Sequence, residues 1–166
     1  MQRLFFSEPP DDQASAALLP LRVVVGAALV LHGWPKIQNP LGWMGTDAAV
    51  PGVFQAVAAL AEFGGGVALV LGLFTRLAAV GIAAVMIGAL ALVHLRRGDP
   101  FVGKHGEPSW ELAAVYLASA ALFVLIGPGR FSLDAAALGR FRKADPRAAQ
   151  PGLRPRLEGR VSPQRA

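Results

Sequence analysis

The sequence predicts an all-α protein, a four-helix transmembrane bundle with its N and C termini on the same, cytoplasmic side. Three observations carry this expectation. Of the 166 residues, 54% are hydrophobic and only 16% are charged, whereas a soluble domain carries about 25% charged residues. Four apolar runs, 17–34, 53–74, 77–93 and 110–126, each reach the span of about 17–25 residues with which a helix crosses a bilayer. Lys and Arg are shared unequally between the two sides that such a bundle would have.

Taken in order, residues 1–16 form a polar segment with three acids, Glu8, Asp11 and Asp12, and a Pro pair. They lack the compact basic-then-apolar start of a signal peptide, so the first run reads as a retained membrane helix. The stretch 35–51 has a proline at each end and cannot be one regular helix. "FTR" (74–76) is too short for anything but an antiparallel turn between the second and third runs. The connector 94–109 is polar and rich in Pro and Gly, and "GPGRFSLD" (127–134) stops the fourth run. The next residues, "AAALGRFRKA", suit a short basic amphipathic helix on the membrane surface. The last stretch, rich in Pro, Arg, Gln and Gly, has a disordered composition. The organisation expected is a polar segment (1–16), a membrane domain (17–134) and a basic, partly disordered tail (135–166).

Orientation follows from counting basic residues in the connectors and tails. One side would hold Arg3, Arg76 and nine tail residues from Arg130 to Arg165; the other holds Lys36, Arg96, Arg97 and Lys104. The positive-inside rule then places both termini in the cytoplasm. A basic tail can also bind nucleic acid, but next to a span it reads as a topology signal, and nucleic acid is disfavoured as a partner. The bias of Arg over Lys points to a bacterial source, hence the inner (cytoplasmic) membrane. There is no cysteine, which excludes disulfides, thiolate metal sites and dithiol chemistry by this chain. No hydrolytic triad, phosphate loop or zinc spacing is present, and no metal site is expected.

The residues that stand out are ionisable groups inside the apolar runs, each costing about 2.5–3.5 kcal/mol at a span centre. They are Arg22, His32, Glu62, His94 and Glu111, with Lys36 and Arg76 at span ends. On the first helix, Arg22, Gly26, Gly33 and Lys36 fall within about 80°, with His32 at the edge of that stripe. On the second, Ala58, Glu62, Gly65, Gly66 and Leu69 share a face, so the glycines let a neighbouring helix approach beside Glu62. The third carries its own small stripe, Gly81, Ala84 and Gly88. Depth suggests an Arg22–Glu62 pair, and a polar cluster of His32, Lys36, His94 and Glu111 at the outer mouth. Simpler readings stand beside these. Glu62 as a buried structural group, His32 and His94 as interfacial residues, Trp34, Trp43 and Trp110 as an aromatic belt, and Lys104, His105 and Glu107 as a solvated loop all fit the same positions. Two rim histidines would enclose a haem poorly, so haem is disfavoured.

Three segments, "LRVVVGAALVLHGWPKI" (21–37), "AEFGGGVALVLGLFTRLAAVGIA" (61–83) and "GPGRFSLD" (127–134), resemble the DoxX family of small four-helix membrane proteins. The resemblance spans about 18–134 and rests on HG-x-x-K, E-x-x-G-G, G-L-x-T-R and G-P-G-R-x-S-x-D together. Carried over by position, it picks out Arg22, His32, Gly33, Lys36, Glu62, Gly65, Gly72, Arg76, Glu111, Ser132 and Asp134. It implies a membrane subunit or anchor of a redox or oxidative-stress complex linked to thiols or quinone. A quinone head group would then be the ligand, with a redox protein as partner and possible homo-oligomers within the bilayer. The alternatives are a small oligomeric transporter or channel for a polar solute, or a structural scaffold.

Overall fold

The computed structural model describes residues 10–48, 50–104 and 106–144. Helix α1, Asp12–Gln38, starts where the Asp11 carboxylate accepts a 2.7 Å hydrogen bond from the backbone N–H of Ala14, which satisfies one of the free amides of the first turn. That cap lies inside the polar segment 1–16, and it starts the helix before the apolar run. Pro20 and Pro35 both sit inside α1. The helix therefore runs past the proline expected to end it, as membrane helices tolerate when neighbouring groups satisfy the freed backbone.

Helix α2, Gly52–Leu71, begins at Pro51 and ends at Gly72, whose φ of 65° only glycine adopts without strain. The N–H of Leu73 returns to the Ala68 carbonyl at 2.9 Å. Helix α3, Thr75–Arg97, follows after three residues, so α2 and α3 are antiparallel neighbours. Its C-terminal part contains a π turn, Leu90–His94, and it ends at Gly98 with φ 71°. Helix α4 is Glu111–Ile126 and helix α5 is Leu133–Ala144.

Three helices, α1, α2 and α3, are long and apolar enough to cross a membrane, and α4 is a shorter apolar fourth. At 1.5 Å per residue α4 covers about 24 Å, close to the hydrocarbon thickness of about 30 Å. The described residues contain no strand. Packing runs α1 on α2, α2 on α3 and α3 on α4. The core is Leu18, Val25, Leu29, Leu69, Ile82, Met86, Tyr116 and Phe123. The outer faces carry Val24, Leu31, Leu60, Leu77 and Leu125, all exposed. Such an apolar exterior is stable only in lipid, where helices associate through close packing and not through a hydrophobic drive.

That packing is tightest between α1 and α2. A Cβ on Gly26 would lie 2.8 Å from the Gly66 carbonyl oxygen, and one on Gly33 would lie 2.5 Å from the Phe63 backbone nitrogen. The two backbones touch, and the contact fixes an antiparallel register in which Gly26 faces Gly66 and Gly33 faces Phe63.

Candidate functional site

The register places Lys36, one turn beyond Gly33, against Glu62. Lys36 Nζ donates to both carboxylate oxygens, at 2.7 Å and 2.5 Å. The Glu62 side chain is 6% exposed and that of Lys36 22%, so the pair lies in the bundle with the lysine toward the open side. The Trp43 ring covers the ammonium at 4.5 Å from its centroid, a cation–π contact that strengthens as water is excluded. Gln55 is buried two turns from Glu62 on α2. Its amide donates to the Val50 carbonyl at 2.8 Å and accepts from the Met44 N–H at 3.0 Å, while Trp43 Nε1 donates to the Gln55 carbonyl at 3.0 Å. Gln55 thus fastens the 39–51 loop over the ion pair, by its side-chain amide and its backbone carbonyl.

Beside the pair lies a cavity of about 580 Å³ between α2, α3 and this loop. That falls within the range of small-molecule sites. Its walls are mostly apolar and, toward α3, built of small residues, with Ala58 and Ala61 facing Gly81, Ala84 and Gly88. Phe54, Val57 and Leu92 line it and are also exposed on the outer face of the bundle, so it opens sideways. The charges on its walls are Lys36, Glu62 and Arg96.

A second polar set closes the opposite end of the bundle. Arg22 is 2% exposed and its Nη1 and Nη2 donate to the carbonyls of Pro128 and Phe131, both at 2.6 Å. Asp134 accepts from the N–H groups of Phe74 and Thr75 at 2.8 Å and 2.9 Å, capping the start of α3. Its own N–H donates to the Gly72 carbonyl at 2.9 Å. Ser132 Oγ accepts from the Ala135 N–H at 3.1 Å, capping α5. Arg76 donates to the last carbonyls of α4, Leu125 and Ile126, at 3.4 Å, where the helix dipole favours a cation. A Cβ on Gly72 would strike Ser132 Cβ at 2.6 Å. These residues tie the 127–134 segment to the α2–α3 turn and the start of α1.

Two groupings expected from the sequence are not formed. Arg22 and Glu62 do not pair. The α1–α2 register sets Arg22 level with Gly72, ten residues from Glu62, which is about 15 Å along a helix. The four-residue cluster at the mouth is also absent. Lys36 turns to Glu62, and His94 Nδ1 bonds Asp99 at 2.8 Å. His32 is exposed and meets the Tyr116 ring edge-on at 6.0 Å. Glu111 is exposed at the start of α4, where its N–H bonds the Phe101 carbonyl at 3.1 Å. Of the packing glycines, Gly65 rests on Ile82, while Gly26, Gly33 and Gly66 carry the α1–α2 contact. The described residues contain no group of acids and histidines able to hold a metal. His105 and the tail beyond 144 lie outside the described residues. Gln55, Trp43, Asp99 and Tyr116 were not singled out as site residues, although Gln55 shares the face of Glu62 at seven-residue spacing.

The comparisons with known proteins agree with this architecture. An uncharacterized protein of Haemophilus influenzae is 35% identical over 118 residues, covering 69% of this chain and 85% of the relative. An uncharacterized membrane protein of Mycobacterium tuberculosis is 31% identical over 153 residues, covering 80% of this chain and 85% of the relative. The inner membrane protein YqjF of Escherichia coli is 27% identical over 122 residues, covering 70% and 88%. No solved structure gives a significant match. The DoxX family model matches residues 17–95, which include the Lys36–Glu62 pair and the α1–α2 glycine contact, and the chain belongs to the DoxX family.

Proposed function

We propose that this integral membrane protein is a bacterial inner-membrane subunit, both termini cytoplasmic, that holds a lipid-soluble ligand beside Lys36 and Glu62 for a redox partner. The observation that carries the reading is the 580 Å³ apolar cavity with a hydrogen-bonded ion pair on its wall, Glu62 buried and Lys36 half-buried. A buried pair is costly to desolvate and stabilises a fold weakly. Keeping one on the wall of a cavity, where it can meet a ligand, accounts for that cost.

A quinone head group suits these residues. It is a flat ring with apolar faces and carbonyl acceptors at its edge. Gly81, Ala84, Gly88, Ala58 and Ala61 leave room for a flat ring, Lys36 can donate to a carbonyl oxygen, and Glu62 can hold a proton near it. When bound, a quinone supplies two-electron, two-proton redox chemistry. The chain has no cysteine, so the electrons would come from a partner protein. A pore between α1 and α2 of a single chain is disfavoured, because their backbones touch at Gly26 and Gly66 and Arg22 is buried further along α1.

The test is titration of a short-chain quinone into the purified protein, read by quenching of Trp43 in a background with Trp34→Phe and Trp110→Phe. Saturable quenching that weakens at least tenfold with Lys36→Met supports the reading. Identical, non-saturating quenching in both proteins removes it.

A further inference from the structure

A second cavity, of about 390 Å³, sits at the end of the bundle away from the termini and is lined by Met44, Asp47, Val50, Leu92, Arg96 and Arg97 among others. It shares Met44, Val50, Leu92, Val93 and Arg96 with the larger cavity, so the two adjoin. We propose that this outer cavity binds the anionic phosphate head group of a membrane lipid, with the acyl chain lying over Leu92 toward the sideways opening between α2 and α3. The inference goes beyond the proposed ligand of the inner cavity and does not rest on it.

Charge argues for an anion. Two arginines face one acid, Asp47, on the wall. Neither guanidinium has an ion-pair or hydrogen-bond partner among the described residues. Lys36 next door is already matched by Glu62, so the excess positive charge belongs to Arg96 and Arg97. Guanidinium groups suit phosphate because they can donate two parallel hydrogen bonds to it.

Local structure argues that this placement is built into α3. The π turn at Leu90–His94 is wider than an α turn. At 3.6 residues per turn, residues four apart drift around a helix; a wider turn holds them closer to one line. Gly88, Leu92 and Arg96 therefore stay on the cavity side, as do Ala89 and Val93. The helix then closes at Gly98, where His94 Nδ1 and Asp99 pair at 2.8 Å and the Asp99 N–H bonds the His94 carbonyl at 3.1 Å, which fixes the end that carries both arginines.

Position argues for a lipid as the source of the phosphate. The arginines end a membrane-spanning helix, the depth at which lipid phosphates lie, and guanidinium groups there can hydrogen-bond a phosphate without leaving the bilayer surface. Leu92 and Leu95, beside them on α3, are exposed on the outer face, where an acyl chain would run.

The test uses the full chain with Trp34→Phe and Trp110→Phe, which leaves Trp43 as the one tryptophan. Trp43 lines the adjoining cavity, so a lipid whose head group sits between Arg96 and Arg97 carries its brominated chain close to the indole. The protein is reconstituted in phosphatidylcholine vesicles with rising fractions of brominated phosphatidylglycerol or brominated phosphatidylcholine. Half-maximal quenching is expected at about tenfold lower fraction of the phosphatidylglycerol, and Arg96→Gln/Arg97→Gln should abolish that preference. Equal quenching by both lipids overturns the proposal. Loss of the preference in excess inorganic phosphate also overturns it, because the site would then take soluble phosphate. Native mass spectrometry of the chain with all three tryptophans provides a second reading. Phosphatidylglycerol adducts should survive in wild type and in Arg154→Gln/Arg156→Gln but not in Arg96→Gln/Arg97→Gln, and equal retention in all three contradicts the assignment.

Discussion

Replacing Gly33 by alanine tests the link between helix packing and the ion pair. The added Cβ would lie 2.5 Å from the Phe63 nitrogen and 2.8 Å from its Cα. Both are backbone atoms, so no side chain can swing aside. Reaching an ordinary contact of about 3.5 Å requires α1 and α2 to separate by about 1 Å. Lys36 and Glu62 flank this point, and their 2.7 Å and 2.5 Å bonds would stretch to about 3.5 Å or beyond, where a hydrogen bond is lost. Overpacking costs about 1–3 kcal/mol, and weakening a buried pair adds to it. A total near 3 kcal/mol corresponds to a fall of about 6–12 °C in melting temperature for a chain of this size. Gly88→Ala is the matched control, since its Cβ would meet nothing within 4 Å. It gains the helix propensity of alanine, about 1 kcal/mol, and should melt at or above wild type. Melting curves of the three proteins in mild detergent decide the matter. Gly33→Ala melting with wild type, or Gly88→Ala falling as far as Gly33→Ala, would refute the register.

Other substitutions probe the two polar sets. Glu62→Leu leaves the Lys36 ammonium unpaired against an apolar wall and should cost about 3–5 kcal/mol, whereas Lys36→Met/Glu62→Leu should recover most of it; a double-mutant cycle in thermal unfolding reads this directly. Arg22→Gln should destabilise by about 3 kcal/mol or more, because the Pro128 and Phe131 carbonyls lose charged donors, with protease cleavage in 127–134 as the assay. Asp134→Ala removes the cap of α3 and should cost about 1–2 kcal/mol, visible as faster amide exchange at Phe74 and Thr75.

Much of this structure was legible in the chain, and the failures have physical causes. The four apolar runs fall on helices α1–α4, of which three are long and apolar enough to cross a membrane, because hydrocarbon thickness constrains length directly. Their ends were less legible. Asp11 caps α1 before its apolar run begins, and Pro35 lies within the helix instead of ending it. The small faces around Gly26, Gly33 and Gly66 pointed to close packing, and α1 and α2 are in backbone contact at these residues. Partner choice was misjudged because depth was estimated for each helix separately. Only the glycine contact between α1 and α2 fixes which residues are level, and it moves Glu62 from Arg22 to Lys36. The π turn in α3 leaves no mark in composition, so the presence of Arg96 on the cavity wall could not be anticipated. The motif residues Gly72, Arg76, Ser132 and Asp134 were visible as a set, but their work of tying three chain segments together depends on contacts distant in sequence.

The central proposal is that the cavity walled by Lys36 and Glu62 takes a lipid-soluble ligand. Native mass spectrometry of wild type and Glu62→Gln, released from mild detergent and followed by identification of any bound small molecule, addresses it most directly. The account predicts one lipid-soluble molecule per chain in wild type and its loss in the variant. Two equally bare proteins of equal stability would contradict the claim, leaving Glu62 neither a ligand group nor an important partner of Lys36.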